Sequence, residues 1–162
     1  MIRKIEIERF TLTSSKPFDG IVAALNAAVG HPDIVEFWRA TQRTRALAEL
    51  ESTIEKAVGR TGLIVFAEFD HGAIVRKDTG RDTPKIVRLV IGNPLIMRRM
   101  VEHVPDAGSY APVTILIDER PDGVHLSYDR MASFLAAYKN ADALKVAGEL
   151  DAKIETLLTS IA

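Results

Sequence analysis

Two spacings of apolar residues along the chain predict a set of strands interleaved with helices. The runs LIVFAEFD (63–70) and KIVRLVI (85–91) are almost continuously apolar, which is typical of strands in the middle of a sheet. The runs VTILIDE (113–119) and VHLSYD (124–129) are joined by Arg-Pro-Asp-Gly. This junction predicts a hairpin, because proline fixes φ and glycine accepts a positive φ.

A fifth strand is predicted over residues 2–12, where apolar and polar residues alternate. The apolar positions change parity near Glu8 or Arg9, which predicts a bulge there. Elsewhere apolar residues recur every three or four positions, as they do on one face of a helix. Helices are predicted over about 15–30, 33–59 (as one long helix or two shorter ones), 94–104, 131–138 and from about 143 onward.

The predicted order of elements is β α α β β α β β α α. Because strands and helices do not alternate as strict βαβ units, the fold class is predicted to be α+β. The segment 72–84 is interpreted as a polar connection with room for one helical turn. No repeat or linker divides the chain, so residues 1–162 are expected to form a single domain.

The composition excludes several classes of protein. The formal net charge is only -1, which argues against a general nucleic-acid binder. The chain has no cysteine, so disulfides, thiolate metal sites and a cysteine nucleophile are excluded. Neither a signal-peptide core nor an apolar run of roughly 18 residues is present, so we expect a cytoplasmic protein without a membrane partner. Cofactor fingerprints and metal-site histidine spacings are absent, so no cofactor and no metal site are predicted.

Gly92-Asn93-Pro94 forms the turn between the strand 85–91 and the next helix. Pro94 suits the first helical position, Asn93 can cap the helix, and Gly92 permits a sharp turn or a close approach of another group. A capped corner therefore explains all three residues. The same geometry also leaves N–H groups at a helix N-terminus, a weak anion site, with Arg98 about one turn along.

Asp70-His71 ends the strand 63–70 and is followed at once by Gly72. One interpretation is a turn in which Asp70 accepts backbone N–H bonds. The other is a proton-transfer pair in which Asp70 orients the His71 imidazole. If the connection crosses over, His71 and Asn93 would face one cleft that suits an acidic small molecule.

Arg88 shares a strand face with Ile86 and Val90. An arginine on an apolar face requires a carboxylate or a ligand. Glu68 or Asp70 would be the partner if the two strands are neighbours. The alternative is an edge strand whose guanidinium points into water.

The order and spacing of these motifs resemble those of a bacterial and archaeal family, domain of unknown function 302. The matching residues are Phe69-Asp70-His71, Val90-Ile91-Gly92-Asn93-Pro94, Pro112-Val113 and those of the strand 124–129. The resemblance covers about residues 60–130. It implies a curved antiparallel sheet of about five strands backed by helices, paired as a homodimer, with no established activity. Residues 31–59 are interpreted as an additional helical insertion.

Three functions fit these residues. The first is the binding of a small molecule at the two strand ends, with contacts from His71, Arg88, Gly92, Asn93, Arg98 and Tyr128. The second is a protein-interaction or dimerisation module, which an exposed Phe37-Trp38 pair would favour. The third is an enzyme with His71 as general acid or base and Asp70 assisting it, although no nucleophile identifies a reaction. A homodimer is expected from the resemblance and from the extent of apolar helical surface.

Overall fold

Five strands form one open antiparallel sheet in the computed structural model of the protein, which describes residue 2 and residues 4–162. The strands are β1 (Arg9–Ser14), β2 (Ile64–Asp70), β3 (Ile86–Gly92), β4 (Val113–Arg120) and β5 (Gly123–Asp129). Their order across the sheet is β1-β5-β4-β3-β2, and every neighbouring pair is antiparallel. The prediction of an α+β fold with a five-stranded antiparallel sheet is therefore confirmed.

Helices occupy most of the remaining described chain. They are α1 (Phe18–Ala28), α2 (Ile34–Arg43), α3 (Leu47–Glu55), α4 (His71–Thr79), α5 (Pro94–Val101), α6 (Met131–Ala136) and α7 (Ala141–Ile161), with a 3₁₀ helix at Pro105–Ser109. No helix in the described part of the chain has both the length and the apolar character needed to cross a membrane.

The main core lies between one face of the sheet and the helices α1, α5, α6 and α7. Val87, Leu89 and Ile91 alternate along β3 and point into this core. Each such buried side chain stabilises the fold by roughly 1.5–3 kcal/mol relative to exposure. The residues between them, including Arg88, point to the opposite side of the sheet, which we call the outer face.

Residues 31–59 form two helices rather than one, and these build a second small core. Phe37, Ile54 and Ile64 are buried there, so α2 and α3 pack against the beginning of β2. The Asp33 side chain caps α2 by accepting a hydrogen bond from Glu36 N at 2.9 Å. The helical path breaks at Thr44, whose backbone is extended, within the polar stretch of the sequence.

Two predicted boundaries are wrong. The segment expected to be a polar connection contains the nine-residue helix α4. Its boundaries are local: Asp70 caps its start, and Gly80 ends it in the left-handed conformation with φ of 65°. The first strand was predicted to begin at residue 2, but within the described residues it begins at Arg9. The position near Glu8 or Arg9 that was predicted to be a bulge is therefore the start of the strand. Arg3, also part of that prediction, lies outside the described residues.

Candidate functional site

The two strand ends that were expected to form one cleft lie at opposite ends of the β2–β3 pair. Asp70 is opposite Val87, whereas Ile64 is opposite Gly92. The five residue steps from Val87 to Gly92 correspond to roughly 17 Å of strand. The prediction that His71 and Asn93 face one cleft is wrong, because α4 joins β2 to β3 as antiparallel neighbours and the chain never crosses over.

Asp70 acts as a helix cap rather than as a partner of His71. Its carboxylate accepts a hydrogen bond from Ala73 N at 2.8 Å and an ion-paired bond from Arg76 Nη2 at 2.8 Å. Burial works to raise the pKa of Asp70, but these hydrogen bonds outweigh it and lower the pKa. The exposed His71 ring stacks on Phe69 with centroids 6.0 Å apart. The Asp70 carboxylate therefore does not orient the His71 imidazole.

Both polar atoms of the Asn93 side-chain amide make hydrogen bonds within the fold. The side-chain oxygen accepts a hydrogen bond from Leu95 N at 2.8 Å, which caps α5 as predicted. The side-chain nitrogen donates to the Gly62 carbonyl at 2.9 Å, which ties the turn to the segment before β2. An incoming anion would have to displace the cap, so the helix end is not a free anion site.

We expect Asn93→Asp to destabilise the protein at least as much as Asn93→Ala. Alanine removes the cap and the bond to Gly62, each worth about 1 kcal/mol. Aspartate keeps the cap but turns a carboxylate oxygen toward the Gly62 carbonyl. Urea denaturation of both variants measures the two losses.

Asn140 provides the matched control for this prediction. It caps α7 by accepting from Ala143 N at 2.9 Å, and its amide nitrogen has no second partner in the described chain. Asn140→Asp should therefore cost little, because aspartate also caps a helix. An Asn93→Asp variant as stable as the wild type would show that the Gly62 bond contributes nothing.

Arg88 lies on the outer face and does not pair with either predicted carboxylate. Its cross-strand neighbour on β2 is Phe69, so Glu68 and Asp70 point to the other side of the sheet. The guanidinium lies over the Phe69 ring at 5.7 Å and donates a long hydrogen bond of 3.4 Å to Thr114 Oγ1. The expected partnership with Glu68 or Asp70 is wrong because β3 presents Arg88 to the opposite face.

Arg98 and Tyr128 are also far from a shared cleft with His71. Arg98 is exposed on α5 and lies 3.8 Å from Glu102, one turn along the same helix. Tyr128 is fully buried in the main core, and its hydroxyl donates to Asp151 Oδ1 at 2.6 Å. Burial, reinforced by the nearby Asp151 charge, raises the pKa of Tyr128, so the hydroxyl remains a proton donor.

The Gly-Asn-Pro turn borders an apolar cavity of about 340 Å³. We call it the α5 cavity, since α5 supplies much of its wall. Residues of α2, β2, β3, the 3₁₀ helix, α7 and the segment that leads into β4 contribute the rest. Its lining residues carry no charged side chain, and they are Trp38, Phe66, Gly92, Asn93, Pro94, Ile96, Met97, Met100, Val101, Gly108, Ala111, Pro112, Val113 and Leu150. Such a wall suits an uncharged ligand.

Gly92 keeps this cavity open on the β3 side. A Cβ atom added at Gly92 would lie 3.3 Å from Pro112 Cβ and 3.7 Å from the Phe66 ring. On the same side the Trp38 ring stacks on Phe66, with centroids 5.7 Å apart. Any larger residue at position 92 would therefore narrow the space between the turn and the aromatic pair.

The wall of the α5 cavity contains no His, Asp or Glu side chain. More widely, no group of three or more His, Asp or Glu side chains within the described residues is arranged to hold a metal ion. The chemistry that the cavity supports is therefore apolar contact and aromatic stacking.

The family model described as "Domain of unknown function DUF302" matches residues 39–161. The chain belongs to the DUF302 family. The crystal structure of an uncharacterized conserved protein DUF302 from Bacillus stearothermophilus has the same fold, with a TM-score of 0.67. It is 10% identical, and the match covers 95% of this chain and 98% of that one. No curated protein matches the sequence.

The DUF302 match extends beyond the residues that carried the resemblance. It begins within α2 and includes α3, both of which belong to the segment interpreted as an insertion. It also includes most of the residues that line the α5 cavity. The sequence pattern places Met97 and Met100 on a predicted helix and Phe66 in a predicted strand, and neither position by itself indicates a cavity. One feature of the sequence does indicate the cavity, namely the wide apolar face of α5. With Ile96, Met97 and Val101, this face is wider than contact with the sheet alone requires.

Proposed function

We propose that this DUF302 domain binds a small, uncharged and largely apolar molecule in the α5 cavity. The observation that carries the proposal is the cavity itself, which has about 340 Å³ of space and a wall without charged side chains. This volume lies in the range of small-molecule sites, which are commonly lined by apolar and aromatic residues with few polar groups. The ligand class differs from the acidic molecule expected for a helix N-terminus.

The absence of charge in the wall argues for a neutral ligand. Asn93, a polar residue in the wall, already uses its amide for Leu95 and Gly62. A carboxylate placed in the cavity would lose its water shell without gaining a cationic partner. The wall also lacks a nucleophile and a general base, which supports binding rather than catalysis.

Two kinds of side chain suit the recognition of an apolar ligand. Met97 and Met100 are unbranched and polarizable, so they adapt to irregular ligand shapes. Trp38 and Phe66 form a stacked pair at one side of the cavity, where Trp38 is 42% exposed. A flat aromatic or alicyclic ligand would cover the exposed part of the indole.

The sole tryptophan makes this proposal directly measurable, because Trp38 lines the cavity. We expect the neutral compound 1-naphthamide to quench Trp38 emission saturably, with one site per chain. The charged analogue 1-naphthoate, with the same ring system, should bind at least about tenfold more weakly, since its carboxylate finds no counter-charge. Equal affinities for both compounds, or quenching that never saturates, would contradict the proposal.

A second candidate function is self-association at the β2 edge of the sheet. The β2 strand lies at the end of the sheet, and along most of its length the edge that faces away from β3 pairs with no other strand of the sheet. Phe69 near the end of β2 is exposed, and so are Ile74 and Val75 on the helix α4 that follows it, with Ile74 71% accessible. An apolar group next to an open strand edge favours pairing with a second copy. This arrangement supports the expected homodimer.

Self-association predicts a mass of twice one chain in light scattering at low micromolar concentration. Ile74→Lys should shift the protein to a monomer, because the added charge would be buried in the interface. Leu47→Lys, at an exposed leucine on α3, is the matched control and should leave the mass unchanged. A monomer mass for the wild type would reject this second function without affecting the proposal for the α5 cavity.

A further inference from the structure

The outer face of the sheet carries a second depression, separate from the α5 cavity. It holds about 220 Å³ and is lined by Arg9, Arg88, Thr114, Leu116, Ser127 and Asp129. These residues come from β1, β3, β4 and β5. The strand register brings them together, since Arg88 is opposite Leu116 and Leu116 is opposite Ser127. The depression is therefore fixed by the rigid part of the fold.

One positive charge in this depression has no carboxylate partner among the residues that the structure describes. Arg9 is neutralised by Asp129, to which it donates two hydrogen bonds of 2.6 and 2.9 Å. Arg88, by contrast, makes one hydrogen bond, to Thr114 Oγ1, and one ring contact, to Phe69, and it has no ion pair among the described residues. The lining, with two arginines and one aspartate, thus has an excess of one positive charge.

Hydroxyl groups lie beside this charge. Thr114 Oγ1 is 3.4 Å from Arg88 Nη2, which is long for a hydrogen bond. Ser127 is only 8% exposed, and its hydroxyl has no hydrogen-bond partner within the described part of the chain. This hydroxyl lines the depression beside an unneutralised arginine, and the acceptor oxygen of a ligand would complete the arrangement.

We propose that this depression binds an oxyanion, a carboxylate or phosphate group of a small molecule. The fork of the Arg88 guanidinium would donate to two of its oxygens, and the Thr114 and Ser127 hydroxyls would donate to the remaining lone pairs. The Arg9–Asp129 ion pair forms one wall of the site. Because Arg9 neutralises Asp129, this carboxylate does not repel an anionic ligand. This site is independent of the α5 cavity, which takes an uncharged ligand.

The test is an amide NMR titration with sodium phosphate and, separately, sodium acetate, each against sodium chloride at equal ionic strength. We expect saturable shifts at Arg88, Leu116 and Ser127 with at least one of the two anions. Arg88→Ala should weaken binding at least about tenfold. Ser127→Ala should weaken it by a smaller factor, and this second variant tests the site without changing its charge.

Arg60→Ala is the matched control. Arg60 is exposed in another surface groove, so this variant removes the same charge elsewhere. It should leave the titration unchanged. Shifts that do not saturate, or that Arg88→Ala and Arg60→Ala reduce equally, would show general charge screening and overturn the proposal.

The two anions distinguish the ligand group. Tighter acetate binding assigns a carboxylate, which matches the planar fork of Arg88, and tighter phosphate binding assigns a phosphoryl group. A third result would overturn the proposal: sedimentation showing that the chain self-associates and that Arg88→Ala abolishes the association. The occupant of the depression would then be a second protein chain.

Discussion

Replacing Asp151 with alanine is expected to lower the free energy of unfolding by more than about 3 kcal/mol. Asp151 is completely buried. Its carboxylate accepts hydrogen bonds from Tyr128 Oη at 2.6 Å, Met131 N at 2.7 Å and Ala132 N at 3.1 Å. Alanine would remove the acceptor of Tyr128 Oη and of Ala132 N, and it would leave Met131 N only its 3.2 Å hydrogen bond to Tyr128 Oη. It would also disconnect α7 from the end of β5 and the start of α6.

Two variants on the same helix show whether this loss comes from the hydrogen bonds. Asp151→Asn should cost less than alanine, because its amide keeps one acceptor oxygen. Glu149→Ala removes an exposed carboxylate that pairs with Arg99 at 3.2 Å, and it should change stability by less than about 1 kcal/mol. A urea denaturation experiment in which Asp151→Ala and Glu149→Ala cost the same would contradict this account of the core.

Gly30→Ala is expected to be the most damaging of the glycine substitutions and to prevent stable folding. A Cβ atom at Gly30 would lie 1.9 Å from the Ala57 carbonyl oxygen and 2.8 Å from Gly59 N. Both neighbours are backbone atoms and cannot rotate away. Gly30 also donates to Leu63 O at 2.8 Å and accepts from Val65 N at 2.9 Å. The chain therefore crosses itself here with no room for a side chain.

Gly20 provides the comparison for Gly30. It lies on α1 with nothing within 4 Å of its added Cβ. Gly20→Ala should stabilise the protein by roughly 0.5–1 kcal/mol, because alanine favours the helix and restricts the unfolded chain. Thermal unfolding followed by circular dichroism measures both variants. If Gly30→Ala melted within a few degrees of the wild type, the tight crossing would not exist in solution.

The spacing of apolar residues and the residue types at turns predicted the sheet well, because both depend on residues that are close together in the sequence. The apolar alternation in β3 and the Pro-Asp-Gly hairpin between β4 and β5 specify their strands locally. Asn93 was also predicted correctly as a cap. Helix α4 escaped prediction because it has little apolar periodicity, although its cap Asp70 and its terminal Gly80 were both visible in the sequence.

The candidate site could not be predicted because it depends on how strands pair. The hypothesis of one cleft required a crossover between β2 and β3, and nothing in the segment 72–84 distinguishes a crossover from a simple return. Gly30 was read as a helix end, whereas its tight contact with residues 57–59 arises from two segments far apart in sequence. The burial of Asp151 likewise depends on the packing of α7 against α6.

The most direct test of the α5 cavity is a methyl NMR experiment on the methionines. The chain contains four of them, and Met97 and Met100 line the cavity, whereas Met131 is buried without lining it. Two glycine substitutions supply the controls. Gly108→Phe places a ring in the cavity, where an added Cβ meets only Val101 at 3.8 Å. Gly20→Phe places the same ring on the open surface of α1.

Saturating 1-naphthamide should shift the methyl signals of Met97 and Met100 and leave the methyl signal of Met131 unchanged. The ligand protons should also give nuclear Overhauser effects to the Met97 and Met100 methyl groups. Gly20→Phe should retain this response and Gly108→Phe should lose it. If the Met97 and Met100 signals stay unchanged at saturating ligand, or if Gly108→Phe responds as the wild type does, the α5 cavity is not a binding site.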